Sequence, residues 1–162
     1  MTTRQRNDLT IYDAAAAQWW SDDIKWVRTL KSMVPGRLRW FDRHVDWTGK
    51  RVLDLGCAGG FMAEALAARG AEVVVTGTRP DEGDYLEAED ADFTGLTYRQ
   101  LDVTDRVVAA ALADELGPVD TLIQSQGIVR YGRQEFARDV WDDVIDVNLN
   151  SVMDIARAFH AG

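Results

Sequence analysis

The sequence predicts an α/β fold: a three-layer sandwich built on about four parallel strands, with a helical cap ahead of it. Three observations carry this. An apolar run, Val52-Leu53-Asp54-Leu55, ends in the turn Gly56-Cys57-Ala58-Gly59-Gly60, and Phe61–Arg69 then reads as a helix. The stretch Glu72–Thr76 has the unbroken valine character of a strand buried on both faces. From Arg51 onward, strand-like and helix-like stretches alternate, a pattern that gives parallel strands joined by right-handed crossovers.

Residues 7–47 are helical in character. Asp13–Trp20 carries an alanine run and a tryptophan pair, and Asp22–Met33 sets Ile24, Val27, Leu30 and Met33 on one face. Pro35-Gly36 is expected to break this helix. Arg37–Val45 then places Leu38, Phe41 and Val45 on one stripe, and Trp47-Thr48-Gly49-Lys50 is a turn. Four of the six tryptophans (Trp19, Trp20, Trp26 and Trp40) lie ahead of this turn. The preface reads as a cap, residues 1–50, that packs on the sheet, with closure over a ligand as the sharper alternative.

Residues 51–162 read as a Rossmann-like cofactor-binding domain, a partial doubly wound sheet. The strands are Val52–Leu55, Glu72–Thr76, Leu96–Leu101 and Val119–Gln124. Helix Phe61–Arg69 is stopped by Gly70. Residues 79–95 are polar, with seven acids between Asp81 and Asp92, and read as a solvated loop. Helix Thr104–Leu116 has Thr104 as its expected N-cap, Asp105 in its first turn and Gly117 at its end. A long helix, Asp139–His160, is apolar at Val140, Val144, Val147, Val152, Ile155 and Phe159. The second half of a doubly wound sheet is missing, so one edge is expected to be uncovered and to support a homodimer.

Bulk properties narrow the function. At 162 residues the chain is one domain's worth, and 46% hydrophobic content is ordinary for a globular protein. A formal charge of −9 argues against nucleic acid as the main partner, although Arg37, Arg39, Arg43, Lys50 and Arg51 form a local basic group. The single cysteine, Cys57, excludes an internal disulfide and a Cys-rich zinc site, so no metal is expected. It reads as a small filler in the glycine turn, with no histidine beside it in sequence. No apolar run is long enough for a membrane span, no signal peptide is visible, and a cytoplasmic enzyme of small molecules is expected.

Strand, glycine loop and helix together are how a Rossmann-type domain holds a nucleoside cofactor. Glycines there let backbone approach the ligand where a Cβ would collide. The alternative is a tight turn with no ligand. Asp54, two residues before the first glycine, suits a cationic amino-acid moiety, reached directly or through loop amides, better than a pyrophosphate. That favours S-adenosylmethionine (SAM).

Two family resemblances meet in the middle of the chain. Ile11-Tyr12-Asp13, Trp19-Trp20, Met33-Val34-Pro35-Gly36-Arg37-Leu38 and Gly49 through Gly60 make residues 7–71 resemble the ubiquinone-biosynthesis type of SAM-dependent O-methyltransferase. The pattern D-x-G-x-G-x-G is met at Asp54, Gly56 and Gly60, with Ala58 at the middle glycine and Gly59 beside it. The resemblance implies that Arg37 approaches the SAM carboxylate and that Gly56 lines the cofactor. Residues 71–162 resemble instead the short-chain dehydrogenase/reductase family. The matching pieces are Val73 through Arg79, Leu101-Asp102-Val103-Thr104-Asp105, Val119 through Gly127 and Trp141 through Val152. That resemblance implies NADP, with Arg79 on its 2′-phosphate, Asp102 accepting from the adenine amine, Gly127 at the cofactor and Asn148 as the helix asparagine of the catalytic set. Gln124-Ser125-Gln126-Gly127 departs from the family's N-N-A-G but keeps the glycine, and Met62 stands at the last loop glycine.

The two halves join near residues 68–73, and the chain reads as a hybrid. The methyltransferase half lacks an acid after the second strand, where Thr78 and Arg79 stand, and no Tyr-x-x-x-Lys occurs anywhere in the 162 residues. The expected function is methyl transfer from SAM to a small hydroxylated substrate, with an inactive domain as the alternative because the chain is incomplete. His44 is the one histidine near the cap, as base or surface residue. The alternatives are an NADP-binding reductase fragment and a non-catalytic Rossmann-like module for assembly.

Overall fold

A computed structural model describes residues 25–80 and 94–160. The expectations for residues 7–24 and for the acidic stretch Asp81–Asp92 lie outside them.

Helix α1 (Lys25–Phe41) runs unbroken through Pro35, where the sequence predicts a stop. Proline costs the helix one N–H and crowds the carbonyl four residues back. Packing on both sides offsets this: Val34, Leu38 and Phe41 all lie against one core cluster, with Leu38 buried. Gly36 meets nothing within 4 Å and adds no strain.

The sheet follows: β1 (Arg51–Leu55), β2 (Glu72–Gly77), β3 (Leu96–Gln100) and β4 (Thr121–Gln124). All pairings are parallel, in the order β3-β2-β1-β4. Helix α2 (Phe61–Ala67) joins β1 to β2, and α3 (Arg106–Leu116) joins β3 to β4. The chain ends in α4 (Arg138–Ile145), a π-turn (Asp146–Asn150) and α5 (Ser151–His160), where one uninterrupted helix is expected.

Strand β1 is buried on both faces because its side chains alternate between two cores. Val52 joins Leu38, Trp47, Ala63, Leu66, Val73 and Val75 under α1 and α2. Leu53 and Leu55 join Leu101, Leu112 and Ile155 under α3 and α5. The cap is fastened by polar bonds too. Asp42 accepts from Trp47 Nε1 at 3.0 Å and from Arg69 Nε at 3.1 Å. At the amino edge, Asp120 accepts from Lys50 Nζ and from the Arg51 backbone, each at 2.9 Å, which sets β1 against β4.

Helix α3 starts one cap later than expected. Asp105, not Thr104, is its N-cap, accepting from Val107 N and Val108 N at 3.1 Å. The Thr104 hydroxyl is already committed, donating to Asp102 Oδ1 at 2.7 Å. Gly117 ends the helix at φ 63°, as its sequence position implies.

A continuous α1 makes a prediction. Gly36→Ala should raise the unfolding free energy by about 1 kcal/mol, the helix-propensity gain of alanine at an open site. Urea denaturation measures it, and a loss of stability would contradict a helical Gly36.

Candidate cofactor site

The sheet order reverses between β1 and β4, and ligands of open α/β sheets bind outside the carboxyl ends of the strands at such a point. Most of the predicted residues stand on that edge. Gly56, Gly59 and Gly60 follow β1, Arg79 follows β2, Asp102 follows β3 and Gly127 follows β4. Arg37 stands apart, exposed on α1 beside the buried Leu38.

The glycine loop is tight for reasons of its own packing. A Cβ on Gly56 would sit 2.8 Å from Gln126 Cα. The expected collision with a ligand is therefore, at Gly56, a collision with the chain leaving β4. Its N–H is also occupied, donating to the buried Thr76 Oγ1 at 3.3 Å. Gly60 is different: at φ 75°, its nearest outside atom would be Glu64 Oε1 at 3.6 Å, so space remains above it. Ala58 also takes a left-handed conformation, φ 53°, where the D-x-G-x-G-x-G pattern has glycine. A side chain there costs roughly 1 kcal/mol.

Asp54 is 1% exposed. Alternation places it on the Val52 side of β1, in register with Val75 and Ile123. Among the described residues its Oδ1 has no hydrogen-bond partner. Burial pushes its carboxyl up to about 6, and the Ser125 hydroxyl draws it partly back. At this burial Asp54 presents no open face to a ligand's cationic group. The Cys57 thiol is pushed up to about 12, mainly by burial and then by the Asp54 charge. It stays protonated at neutral pH and fills space, as its setting in sequence suggests.

The tip of β2 is held by β3. Tyr98 Oη donates to Arg79 O at 2.7 Å, and Gln100 Nε2 donates to Thr78 O at 3.1 Å. Asp102 closes a turn, its Oδ1 accepting from Thr104 N at 2.9 Å. Asn148 makes a reciprocal pair with one backbone residue: Oδ1 accepts from Ile128 N at 2.8 Å, and Nδ2 donates to Ile128 O at 2.9 Å. A Cβ on Gly127 would meet Asn148 Oδ1 at 3.5 Å. His44 is exposed and lies against Trp40, with ring centroids 4.8 Å apart.

Sequence reasoning missed Thr76, Tyr98, Gln100, Gln126 and Ser151. Thr76 had a signal, a polar residue closing a valine run. Tyr98, Gln100 and Ser151 donate to backbone carbonyls, and Gln126 donates to the side chains of Gln124 and Ser151, pairings that sequence alone does not mark.

A family model described as short chain dehydrogenase matches residues 50–161. Among solved structures, a short-chain dehydrogenase from Burkholderia cenocepacia in complex with NADP is 26% identical, with a TM-score of 0.58 over 72% of this chain and 52% of that one. A short-chain dehydrogenase from Streptomyces avermitilis is 29% identical, with a TM-score of 0.55 over 70% of this chain and 44% of that one. A curated relative of another kind, the ubiquinone biosynthesis O-methyltransferase of Acinetobacter baylyi, is 38% identical over 101 residues. That match covers 60% of this chain and 42% of the methyltransferase. The chain thus spans about half the length of these reductases and less of the methyltransferase. Among the described residues, no helix is long and apolar enough to cross a membrane.

Two outcomes follow from the loop. A carboxyl that keeps its proton more tightly when folded stabilises the fold fully below pH 3.8 and loses that contribution as pH rises to about 6. Asp54→Asn should therefore gain stability over the parent across this window, reaching about 3 kcal/mol above it. Urea titrations at a series of pH values read this, and a difference independent of pH contradicts it. Ala58→Gly should stabilise by a net of about 0.5 kcal/mol, the relief of left-handed strain less the entropy of glycine. A lower melting temperature would overturn that reading of the loop.

Proposed function

The chain belongs to the short chain dehydrogenase family, and from that premise we propose that it is the nucleotide-binding half of a reductase that uses NADP. One observation supports this above the others. Two residues past the end of β2, in the stretch where a Rossmann domain for an unphosphorylated ribose carries an acid, stands Arg79, and its backbone is pinned by Tyr98. A guanidinium binds a phosphate through paired, charge-assisted bonds.

The residues present fit the cofactor at the edge of the sheet. Gly60 leaves open space over the loop, and the β2 tip offers a cation in place of a repelling carboxylate. Arg79 would take the 2′-phosphate, Gly60 would let backbone approach the pyrophosphate, Asp102 would face the adenine, and Gly127 would border the far side. Asn148 fixes the loop that carries Gly127 through its two bonds to Ile128. When bound, NADPH supplies a hydride. The 162 residues include no Tyr-x-x-x-Lys to supply the accompanying proton, so the proposed activity of this chain is binding.

A second reading, SAM binding and methyl transfer to a small hydroxylated substrate, draws on the methyltransferase relative and on Asp54. The α1 cap and the helix α2 that follows the glycine loop share one core through Leu38 and Ala63, so this half is also a coherent unit. Its weak point is the same Arg79, which meets SAM's ribose with no acceptor.

Calorimetric titration with NADPH and, separately, S-adenosylhomocysteine tests both. NADPH should bind, and Arg79→Ala should weaken it roughly 10- to 100-fold, the worth of hydrogen bonds to a charged group. NADH affinity should change little. Binding of S-adenosylhomocysteine alone would overturn the NADP reading in favour of the second, and binding of neither would leave a scaffold.

A further inference from the structure

We propose that Ser151 is the positioning residue that aims Asn148, by holding the π-turn in which Asn148 lies. The importance of that aim rests on the reductase reading above; the geometry does not. From Arg138 to His160 the chain is helical, with a single change of winding at Asp146–Asn150. There the Ser151 N–H donates to Asp146 O, five residues back. In an α-helix the same N–H would go to Val147 O, four residues back. The Ser151 hydroxyl takes its place, donating to Val147 O at 2.6 Å. Both residues are buried, at 2% and 8% exposure, so a carbonyl stripped of this bond would be costly.

The hydroxyl is itself oriented. Ser151 Oγ accepts from Gln126 Nε2 at 3.2 Å, and Gln126 Nε2 also donates to Gln124 Oε1 at 3.1 Å. Gln124 Nε2 donates to Val152 O at 3.2 Å. The end of β4 thus grips the helix just after the turn. On the outer side, Arg106 spans the turn, donating to Asp146 Oδ1 at 3.0 Å and Asp154 Oδ2 at 2.6 Å. Arg106 is half exposed, and exposed ion pairs contribute little. The buried hydroxyl is the stronger restraint.

The extra residue in the turn shifts everything before it by about 100° around the helix axis relative to α5. With it, the Asn148 amide meets both backbone groups of Ile128. Without it, α5 keeps its packing through Ile155 while Asn148 swings off that contact. The Ser151 hydroxyl bonds to Val147 O and Gln126 Nε2, while the Ile128 backbone is held by Asn148, so Ser151 acts through Asn148.

Solution NMR of the full chain without nucleotide tests this, so the outcome stands whether or not NADPH binds. Ser151→Ala should move the Asn148 side-chain NH2 signals and speed exchange of the Ile128 amide by about tenfold or more, equivalent to losing one buried hydrogen bond. Asn148→Ala should speed the same amide, and the double variant should add nothing further. Ile155→Val, a core change on the same helix, should lower stability and leave both signals in place. Should Ser151→Ala fail to fold, Gln126→Ala removes one of the hydroxyl's two bonds and should loosen the Ile128 amide by a smaller factor. Unchanged Asn148 and Ile128 signals in Ser151→Ala, or in Gln126→Ala where that variant stands in, overturn the proposal. So does the same loosening in Ile155→Val.

Discussion

Strand β1 is packed on both faces, and its carboxyl end must turn in space already held by the chain leaving β4. The near contact between Gly56 and the Gln126 backbone is where this is decided. Any side chain at residue 56 would drive the two strand ends apart. The approach commits the Gly56 N–H to Thr76 and brings Ser125 to Asp54. It also leaves Gln126 pointing at Ser151, and so couples the glycine loop's neighbour to the helix that carries Asn148. One backbone contact thus places the loop, the buried acid and the helix register in relation to each other.

The chain carries two sets of cofactor signals, and the structure treats them differently. Asp54, the residue that speaks for SAM, is buried, with one oxygen unpaired among the described residues and its proton held up to about pH 6. Its charge is an internal cost more than an external lure. Arg79, which speaks for NADP, sits on a strand tip braced by Tyr98 and Gln100. Bracing of this kind orders the site before a ligand arrives and lowers the entropy lost on binding. The methyltransferase-like part does not conflict with the reductase-like strands, because Leu38, Trp47, Val52, Ala63 and Leu66 of the first share one apolar core with Val73 and Val75 of the second. Such cores ask for volume and shape, which unrelated partners can both satisfy.

The parts of this fold that depend on pattern were legible in the sequence. The valine run of β2, the glycine turn after β1, and the stops at Gly70 and Gly117 all express local preferences that packing did not override. What escaped depended on particular contacts, some between neighbours and some between distant residues. Pro35 reads as a helix stop, yet the half-buried Val34 and the buried Leu38 pack on one core on either side of it and carry α1 through. Thr104 and Asp105 are equally good caps by type, and only the bond from Thr104 to Asp102 decides between them. The π-turn did leave a trace: apolar positions at Val140, Val144 and Val147 are followed by Val152, a step of five where an α-helix wants three or four. Gly56 was singled out correctly for its backbone, but the neighbour that requires it comes from a loop some seventy residues later.

The central claim is that the carboxyl edge of this sheet binds an NADP-type dinucleotide through the tip of β2. A crystal structure of the chain grown with NADPH tests it most directly. The account predicts the 2′-phosphate against the Arg79 guanidinium and the pyrophosphate over Gly60. A nucleotide bound elsewhere, or one at this edge whose 2′-phosphate is directed away from Arg79, would contradict it.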